Sequence, residues 1–274
     1  MTLDRASKVI ESGIERGLHI GAQLYVSQGG KRVADLAFGL AREGVPMTPD
    51  TIMLWMSSTK PITAIATGQI WERGKIALDD PVSKYIPEFG AKGKESITVR
   101  HVLTHTGGFR LAVGPWTNDP WEQIVAQICD AEIEQGWTIG KTSGYHIASG
   151  WYVLGEIVRR VCGGGRAYSQ YLREEILEPL GMRDTWIGMP ADRWRGYGDR
   201  IAPMHFGASF KRPEPLCAVV EYCGGGCNRA ARWQRARTDS RPWEILRSDA
   251  GGRRRSRHAA DYRGDIGAAY GRTA

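Results

Sequence analysis

The sequence predicts an α+β fold in which an antiparallel sheet is flanked by helices. Two strand-like runs, Ile20 to Ser27 and Arg32 to Leu40, are separated by Gly29-Gly30, a pair that indicates a hairpin turn. Before them, Ala6 to Gly17 places its apolar residues at helical spacing. The segment after the hairpin is mainly helical in pattern, so we expect a helical region to be inserted after the opening strands.

Capping and breaking residues delimit the helices of that region. Small polar residues mark their starts, and glycines and prolines mark their ends. The predicted helices are one that begins near Ser57 and ends at Gly74, one from Thr98 to Leu103, one from an Asp119 cap to about Ala131, one from Ser149 to Val161, and one from Tyr168 to Leu177.

The composition is typical of a soluble globular protein. Apolar residues make up 42% and charged residues 24% of the 274 residues. No apolar run approaches the ~18 residues that cross a bilayer, and the first residues lack the basic and apolar pattern of a signal peptide. We therefore expect a cytoplasmic protein that has no membrane partner.

The five cysteines indicate reduced thiols. Their number is odd and their spacing irregular, which in a chain without an export signal is typical of a reducing compartment. Cys223-x-x-x-Cys227 has no accompanying second cysteine pair or spaced histidine pair, so zinc is not predicted. We expect neither a metal nor an organic cofactor.

Ser57 and Lys60 form the pattern that predicts catalysis. They are three positions apart at the start of a predicted helix, so they share one face. Backbone N–H groups at the helix start can stabilise an oxyanion beside the Ser57 hydroxyl, and the Lys60 ammonium can reach the same hydroxyl. This arrangement suits a nucleophilic serine with a lysine as base or proton relay. Taken alone the pattern has low specificity, because a serine N-cap followed by a surface lysine looks the same.

Tyr145 is the candidate third member of this set. It stands on a glycine-preceded loop and can present its phenol to a cleft. A phenolate, or a phenol that is hydrogen-bonded to Lys60, could take the proton of Ser57. His105 and His146 are alternative acid–base groups, although each lies beside a turn, where histidines that only form hydrogen bonds are commoner.

Five motifs occur in an order that resembles a known family. They are SSTKPITA at 57–64, LDDPVSKYIP at 78–87, VLTHTGG at 102–108, GYH at 144–146 followed by GEIV at 155–158, and PLGMRDT at 179–185. Over roughly residues 5–190 the chain resembles the β-lactamase-related serine hydrolases: class C β-lactamases, D-amino-acid peptidases and esterases of that fold. The resemblance implies a β-lactamase/transpeptidase-like fold, with Ser57 as nucleophile, Lys60 as its partner and Tyr145 as the tyrosine of the second motif.

Two features depart from the family pattern. The second motif of the β-lactamases is usually Tyr-x-Asn, but Ile147 occupies the third position here and its side chain cannot form a hydrogen bond. This favours a simple ester over a β-lactam. The third motif (Lys-Thr-Gly, His-x-Gly or Trp-x-Gly), which lies on a late strand that also supplies an oxyanion N–H, has no convincing copy after Tyr145.

Residues 211–274 differ in character from the rest. They contain 14 Lys and Arg against 7 Asp and Glu, whereas residues 1–210 hold 23 of each, and they lack apolar periodicity. We divide the chain into a β-lactamase-like domain at 1–210, without the family's C-terminal strands, and an Arg/Gly-rich tail at 211–274 that results from a shifted reading frame or a truncation. The alternative, which we do not favour, is an arginine-rich arm that binds nucleic acid or an acidic surface.

The predicted activity is hydrolysis of a small-molecule carboxylic ester through an acyl-serine intermediate formed by Ser57, Lys60 and Tyr145. One alternative is a β-lactamase or D-amino-acid peptidase on the same fold. Another is an inactive truncated homologue or a non-catalytic binding protein.

Overall fold

A computed structural model describes residues 3–114, 119–162, 165–206 and 214–216, and the statements below concern these ranges. The predicted α+β fold is confirmed. Helix α1 (Asp4–Glu15) precedes the antiparallel strands β1 (Gly21–Gln28) and β2 (Lys31–Arg42), and the short strand β3 (Val45–Pro46) follows β2 at the sheet edge. The order in this sheet is β1-β2-β3.

The hairpin turn has the backbone that its two glycines predict. Gly29 and Gly30 have φ angles of 58° and 74°, between the paired residues Gln28 and Lys31. A two-residue turn with two positive φ angles matches the twist of the strands it joins. The hairpin register therefore follows from the local sequence.

The rest of the described chain is mainly helical, as predicted. Its elements are α2 (Lys60–Glu72), α3 (Val99–Leu103), α4 (Trp121–Asp130), α5 (Ser149–Cys162), α6 (Tyr168–Leu172), α7 (Ala191–Tyr197) and a short antiparallel strand pair, β4 (Met204–Phe206) with β5 (Glu214–Leu216). Thr98 caps α3 as predicted, since its hydroxyl accepts a hydrogen bond from the His101 N–H.

One predicted helix cap is wrong, and two predicted helices are not α-helical over their whole length. Helix α4 begins at Trp121 without a side-chain cap, because Pro120 occupies the cap position and the Asp119 carboxylate accepts a hydrogen bond from Gln127 instead. A 3₁₀ turn, Met56–Thr59, precedes α2 and contains Ser57. The helix predicted from residue 168 to 177 is α-helical only as far as α6 and continues as a π turn, Arg173–Leu177.

The hydrophobic core lies among the helices, with α2 packed against α5. Ala66 and Ile70 of α2 and Leu154 and Ile157 of α5 are completely buried in one continuous cluster. Burial of a large aliphatic side chain contributes about 1.5–3 kcal/mol to folding. The α2–α5 contact therefore fixes the helix that carries Lys60.

A buried carboxylate ties α5 to its neighbours. Glu156 is 1% exposed and accepts hydrogen bonds from Trp121 Nε1 at 2.7 Å, Arg159 Nε at 2.7 Å and Arg160 Nε at 2.6 Å. Arg160 also pairs with Glu88, which lies in a 3₁₀ turn. Burial alone would raise the pKa of Glu156, but its three hydrogen-bond donors lower it below the ordinary value.

The tail lies almost entirely outside the described residues. Only Glu214–Leu216 of residues 211–274 is described, so the division at residue 210, the missing C-terminal strands and the origin of the tail stay predictions. Cys217, Cys223 and Cys227 also lie outside. Within the described ranges Cys129 and Cys162 are free thiols, and no helix there combines the length and apolar character that crossing a bilayer requires.

We expect Glu156→Gln to lower the free energy of unfolding by about 2 kcal/mol at pH 7, because a neutral amide replaces a buried acceptor of charged hydrogen bonds. The difference in free energy of unfolding between the parent and this variant should shrink as pH falls through the lowered pKa of Glu156, because the carboxylate favours folding only in its ionised form. Urea unfolding at several pH values measures both effects.

Glu174→Gln is the matched control, because the exposed Glu174 pairs with Arg166 at the surface and ion pairs in that setting contribute little to stability. An equal decrease in the free energy of unfolding in the two variants would contradict the structural role of Glu156.

Candidate active site

The segment that leads to Ser57 is anchored by backbone hydrogen bonds. Ile52 N donates to Arg200 O at 2.7 Å, and Ala202 N donates to Ile52 O at 2.9 Å, which forms a parallel bridge between Ile52 and Ile201. The 3₁₀ turn follows, and α2 then begins with Pro61 in its first turn. Ser57 is exposed on this turn, so its hydroxyl is open to a substrate.

The residue before Ser57 has a strained backbone. Met56 has a φ angle of 51°, in the left-handed region where a residue other than glycine costs about 1–2 kcal/mol. Its carbonyl accepts a hydrogen bond from Thr59 Oγ1 at 2.8 Å, which helps to hold the turn. Strain of this kind clusters at functional sites.

Lys60 is buried next to the Ser57 hydroxyl. Its side chain is 8% exposed, and its Nζ donates a hydrogen bond to Ser57 Oγ at 3.0 Å. The same nitrogen lies 5.0 Å from the centre of the Tyr145 ring and 5.6 Å from that of Trp151. The structure thus brings together the three residues that the sequence indicates, although Lys60 meets Tyr145 at the face of the ring.

Tyr145 lies on the exposed side of this group. It is 40% exposed, and its ring is tilted against that of His105, with the two centres 5.0 Å apart. The half-buried Ile147 is two residues further on. An aliphatic side chain at this position gives a substrate no hydrogen-bond partner.

His146 is a buried structural histidine. It is completely buried, its Nδ1 donates to Gly144 O at 2.8 Å, and its Nε2 accepts from Phe109 N at 3.4 Å. Burial lowers its pKa to about 4. Because the backbone engages both ring nitrogens and the ring stays neutral near pH 7, the geometry does not favour His146 as an acid–base group.

His105 is half-buried beside Lys60. Burial and then the Lys60 charge lower its pKa below the ordinary 6.5. Its Nδ1 accepts a hydrogen bond from His146 N at 3.0 Å. The ring is therefore neutral with its proton on Nε2, and one nitrogen is already engaged by the backbone.

The sequence did not mark Trp151 as a site residue. Trp151 lies in the first turn of α5, where its Nε1 donates to His146 O at 3.2 Å. Its ring reaches Lys60 only because α5 packs on α2. The spacing of residues in the sequence does not predict the contact between Trp151 and Lys60.

A cavity of about 390 Å³ lies next to the turn that contains Ser57. Met56 and Thr59 line it on the side of the turn, and Trp55, Trp186 and Trp194 make much of its wall aromatic. The tryptophans come from segments more than a hundred residues apart, so the sequence could not place them together.

An exposed serine on a helix-start turn, hydrogen-bonded to a buried lysine within an α+β scaffold, is an arrangement typical of serine hydrolases. The chain belongs to the Beta-lactamase family, whose model matches residues 6–219. The family resemblance of the sequence motifs is thereby confirmed.

Similar proteins include esterases and a penicillin-binding protein homologue. LipL of Mycobacterium tuberculosis, an esterase/beta-lactamase, is 32% identical over 192 residues, which cover 69% of this chain and 44% of LipL. Esterase EstB of Burkholderia gladioli is 29% identical over 231 residues, covering 77% of this chain and 56% of EstB. A crystal structure of a penicillin-binding protein homologue from Caulobacter crescentus superposes with a TM-score of 0.63 at 34% identity, covering 74% of this chain and 54% of that one. This chain thus spans about half the length of these relatives.

Proposed function

We propose that the protein hydrolyses carboxylic esters of small molecules through an acyl-serine intermediate. The observation that carries this proposal is the hydrogen bond of 3.0 Å between Lys60 Nζ and Ser57 Oγ, with the lysine buried and the serine exposed. A base at this distance can take the serine proton without moving. Tyr145, whose ring lies beside the same nitrogen, completes the proposed set.

The proposed reaction has two halves. Ser57 Oγ attacks the ester carbonyl carbon while its proton passes to the neutral Lys60 amine, with Tyr145 assisting; the carbon–oxygen bond to the alcohol then breaks, and the alcohol leaves with that proton. In the second half a water molecule attacks the acyl-serine carbonyl and loses its proton to the same pair. The bond to Ser57 breaks, the serine regains its proton, and the acid is released.

The ester preference rests on Ile147 and on the named relatives. Two of the similar proteins are named as esterases. In this chain Ile147 replaces the asparagine expected after the tyrosine of a β-lactamase, so no amide there can bind an acylamino side chain. We assign this activity to residues 1–210 and treat 211–274 as an atypical tail.

β-Lactam hydrolysis is the second candidate, because LipL is named both an esterase and a beta-lactamase. We expect p-nitrophenyl butyrate to be turned over with at least ~10-fold higher kcat/KM than nitrocefin, which corresponds to one lost hydrogen bond of about 1.4 kcal/mol. A preference for nitrocefin would replace the esterase by a β-lactamase. Ile147→Asn should reduce the ratio of kcat/KM for p-nitrophenyl butyrate to kcat/KM for nitrocefin.

Ser57→Ala should abolish both p-nitrophenyl ester turnover and covalent labelling by a fluorophosphonate, because the attacking oxygen is removed. Ser58→Ala is the matched control: Ser58 is also exposed on the turn, and it should keep both properties. Mass spectrometry of the labelled peptide distinguishes the two serines. Labelling of Ser57→Ala at the parent level would remove Ser57 from its proposed role.

Lys60→Arg should lose at least ~10³-fold in kcat, because a guanidinium cannot give up its proton near neutral pH. The parent activity should rise with pH through the neutral to alkaline range, because the base of the proposed mechanism must be unprotonated. Tyr145→Phe should lose less, since Lys60 can still act alone. If Lys60→Arg stayed as active as the parent, the lysine would serve only as a fixed charge.

A further inference from the structure

His105 binds the chain on both sides of Tyr145. The N–H of Gly144, the residue before Tyr145, donates to the His105 carbonyl at 3.1 Å. The N–H of His146, the residue after it, donates to His105 Nδ1 at 3.0 Å. Together with the ring contact of 5.0 Å, these bonds fix both the backbone and the ring of Tyr145 from one residue.

The backbone of His105 is strained in making these contacts. Its φ angle is 60°, so it occupies the left-handed region, where a non-glycine residue costs about 1–3 kcal/mol. A glycine at this position would relieve the strain and could still offer its carbonyl to Gly144. The acceptor of the His146 N–H, however, is the His105 side chain, which a glycine would lack. The conformation therefore points to a role for the imidazole itself.

We propose that His105 is a positioning residue that holds Tyr145 over the Lys60 ammonium through a neutral imidazole whose Nδ1 accepts the His146 N–H. This inference rests on the proposed function, in which Tyr145 assists the transfer of the Ser57 proton. His105 makes no direct contact with Ser57 in its described hydrogen bonds. It acts through the loop that carries Tyr145.

We call the two hydrogen bonds that His105 accepts, from Gly144 N–H and from His146 N–H, the clamp. The second of these bonds depends on the protonation state of the imidazole. A protonated ring has no lone pair at Nδ1 and cannot accept the His146 N–H. The charged or titratable groups that face His105 are Lys60 from α2 and Tyr145 and His146 from the loop, while Arg110 lies near His146. Trp151, on α5, is uncharged. Burial, and then the charge of Lys60, lower the pKa of His105 and keep its ring neutral at neutral pH, so acid pH should release the loop.

Two substitutions separate the imidazole acceptor from the size of the side chain. Asparagine tolerates the left-handed region, places an amide oxygen near the position of Nδ1 and does not titrate. Leucine keeps the bulk but removes the acceptor. His105→Leu should lower kcat on the order of 10²-fold with little change in KM, since a small displacement of a proton-transfer group has a cost of that size. His105→Asn should stay within a few-fold of the parent.

The pH profile tests positioning against a merely structural role. In the parent, the fall of log kcat with falling pH should become steeper once His105 is protonated, because the loop that carries Tyr145 is then released. His105→Asn should show no such steepening. The same steepening in His105→Asn, or a His105→Leu variant with parent kcat, would overturn the proposal.

An NMR titration of the intact chain tests the hydrogen bond between His146 N–H and His105 Nδ1 even if the leucine variant fails to fold or turnover is low. In ¹⁵N-labelled parent protein, the His146 amide proton shift should titrate together with the His105 ring, below pH 6.5. An unmoved His146 amide during titration of that ring would exclude the clamp.

Failure of the clamp and failure of the proposed function give different results. If Tyr145→Phe kept full activity while the His146 amide titrated with the His105 ring, the proposed role of Tyr145 would fail and the clamp would stand. If Tyr145→Phe were impaired while His105→Leu was not, the clamp would fail and the proposed function would stand.

Discussion

The structure depends on keeping the Lys60 amine out of water and next to an exposed hydroxyl. An ammonium with 8% exposure is costly to bury unless nearby groups replace its hydration. Ser57 Oγ supplies a hydrogen bond, and the rings of Tyr145 and Trp151 supply their electron-rich faces. Each partner comes from a different element, so the site forms only when the turn before α2, the loop before α5 and α5 itself have all packed together.

Prediction from the sequence succeeded where the relevant contact is local. The hairpin follows from two glycines that adopt positive φ angles, and Ser57 reaches Lys60 because they are three residues apart. The Thr98 cap is likewise a contact between near neighbours. In each case the geometry is set by a few consecutive dihedral angles, which residue type and spacing largely determine.

Prediction failed where contacts other than those of the nearest neighbours decide the geometry. Asp119 has the sequence of a helix cap, yet its carboxylate accepts a hydrogen bond from Gln127, eight residues further on. The position of Tyr145 beside Lys60 could be expected only from the family resemblance, since no spacing relates residues so far apart. From the sequence, His105 is an alternative acid–base group or a loop histidine that only forms hydrogen bonds. The positioning role that we propose for it rests on its backbone angle and on the two N–H groups that it binds, and both depend on tertiary structure.

Strain and stability are distributed unevenly over the described residues. Among the described residues, three that are not glycine have a positive φ angle. Two of these, Met56 and His105, belong to or contact the segments that carry Ser57 and Tyr145. Each costs about 1–3 kcal/mol, a sizeable part of the 5–15 kcal/mol that typically holds a domain together. The packing of the helical core and the hydrogen bonds to the buried Glu156 offset this cost. A rigid scaffold of this kind can hold Ser57 exposed and Tyr145 oriented, conformations that neither segment would adopt alone.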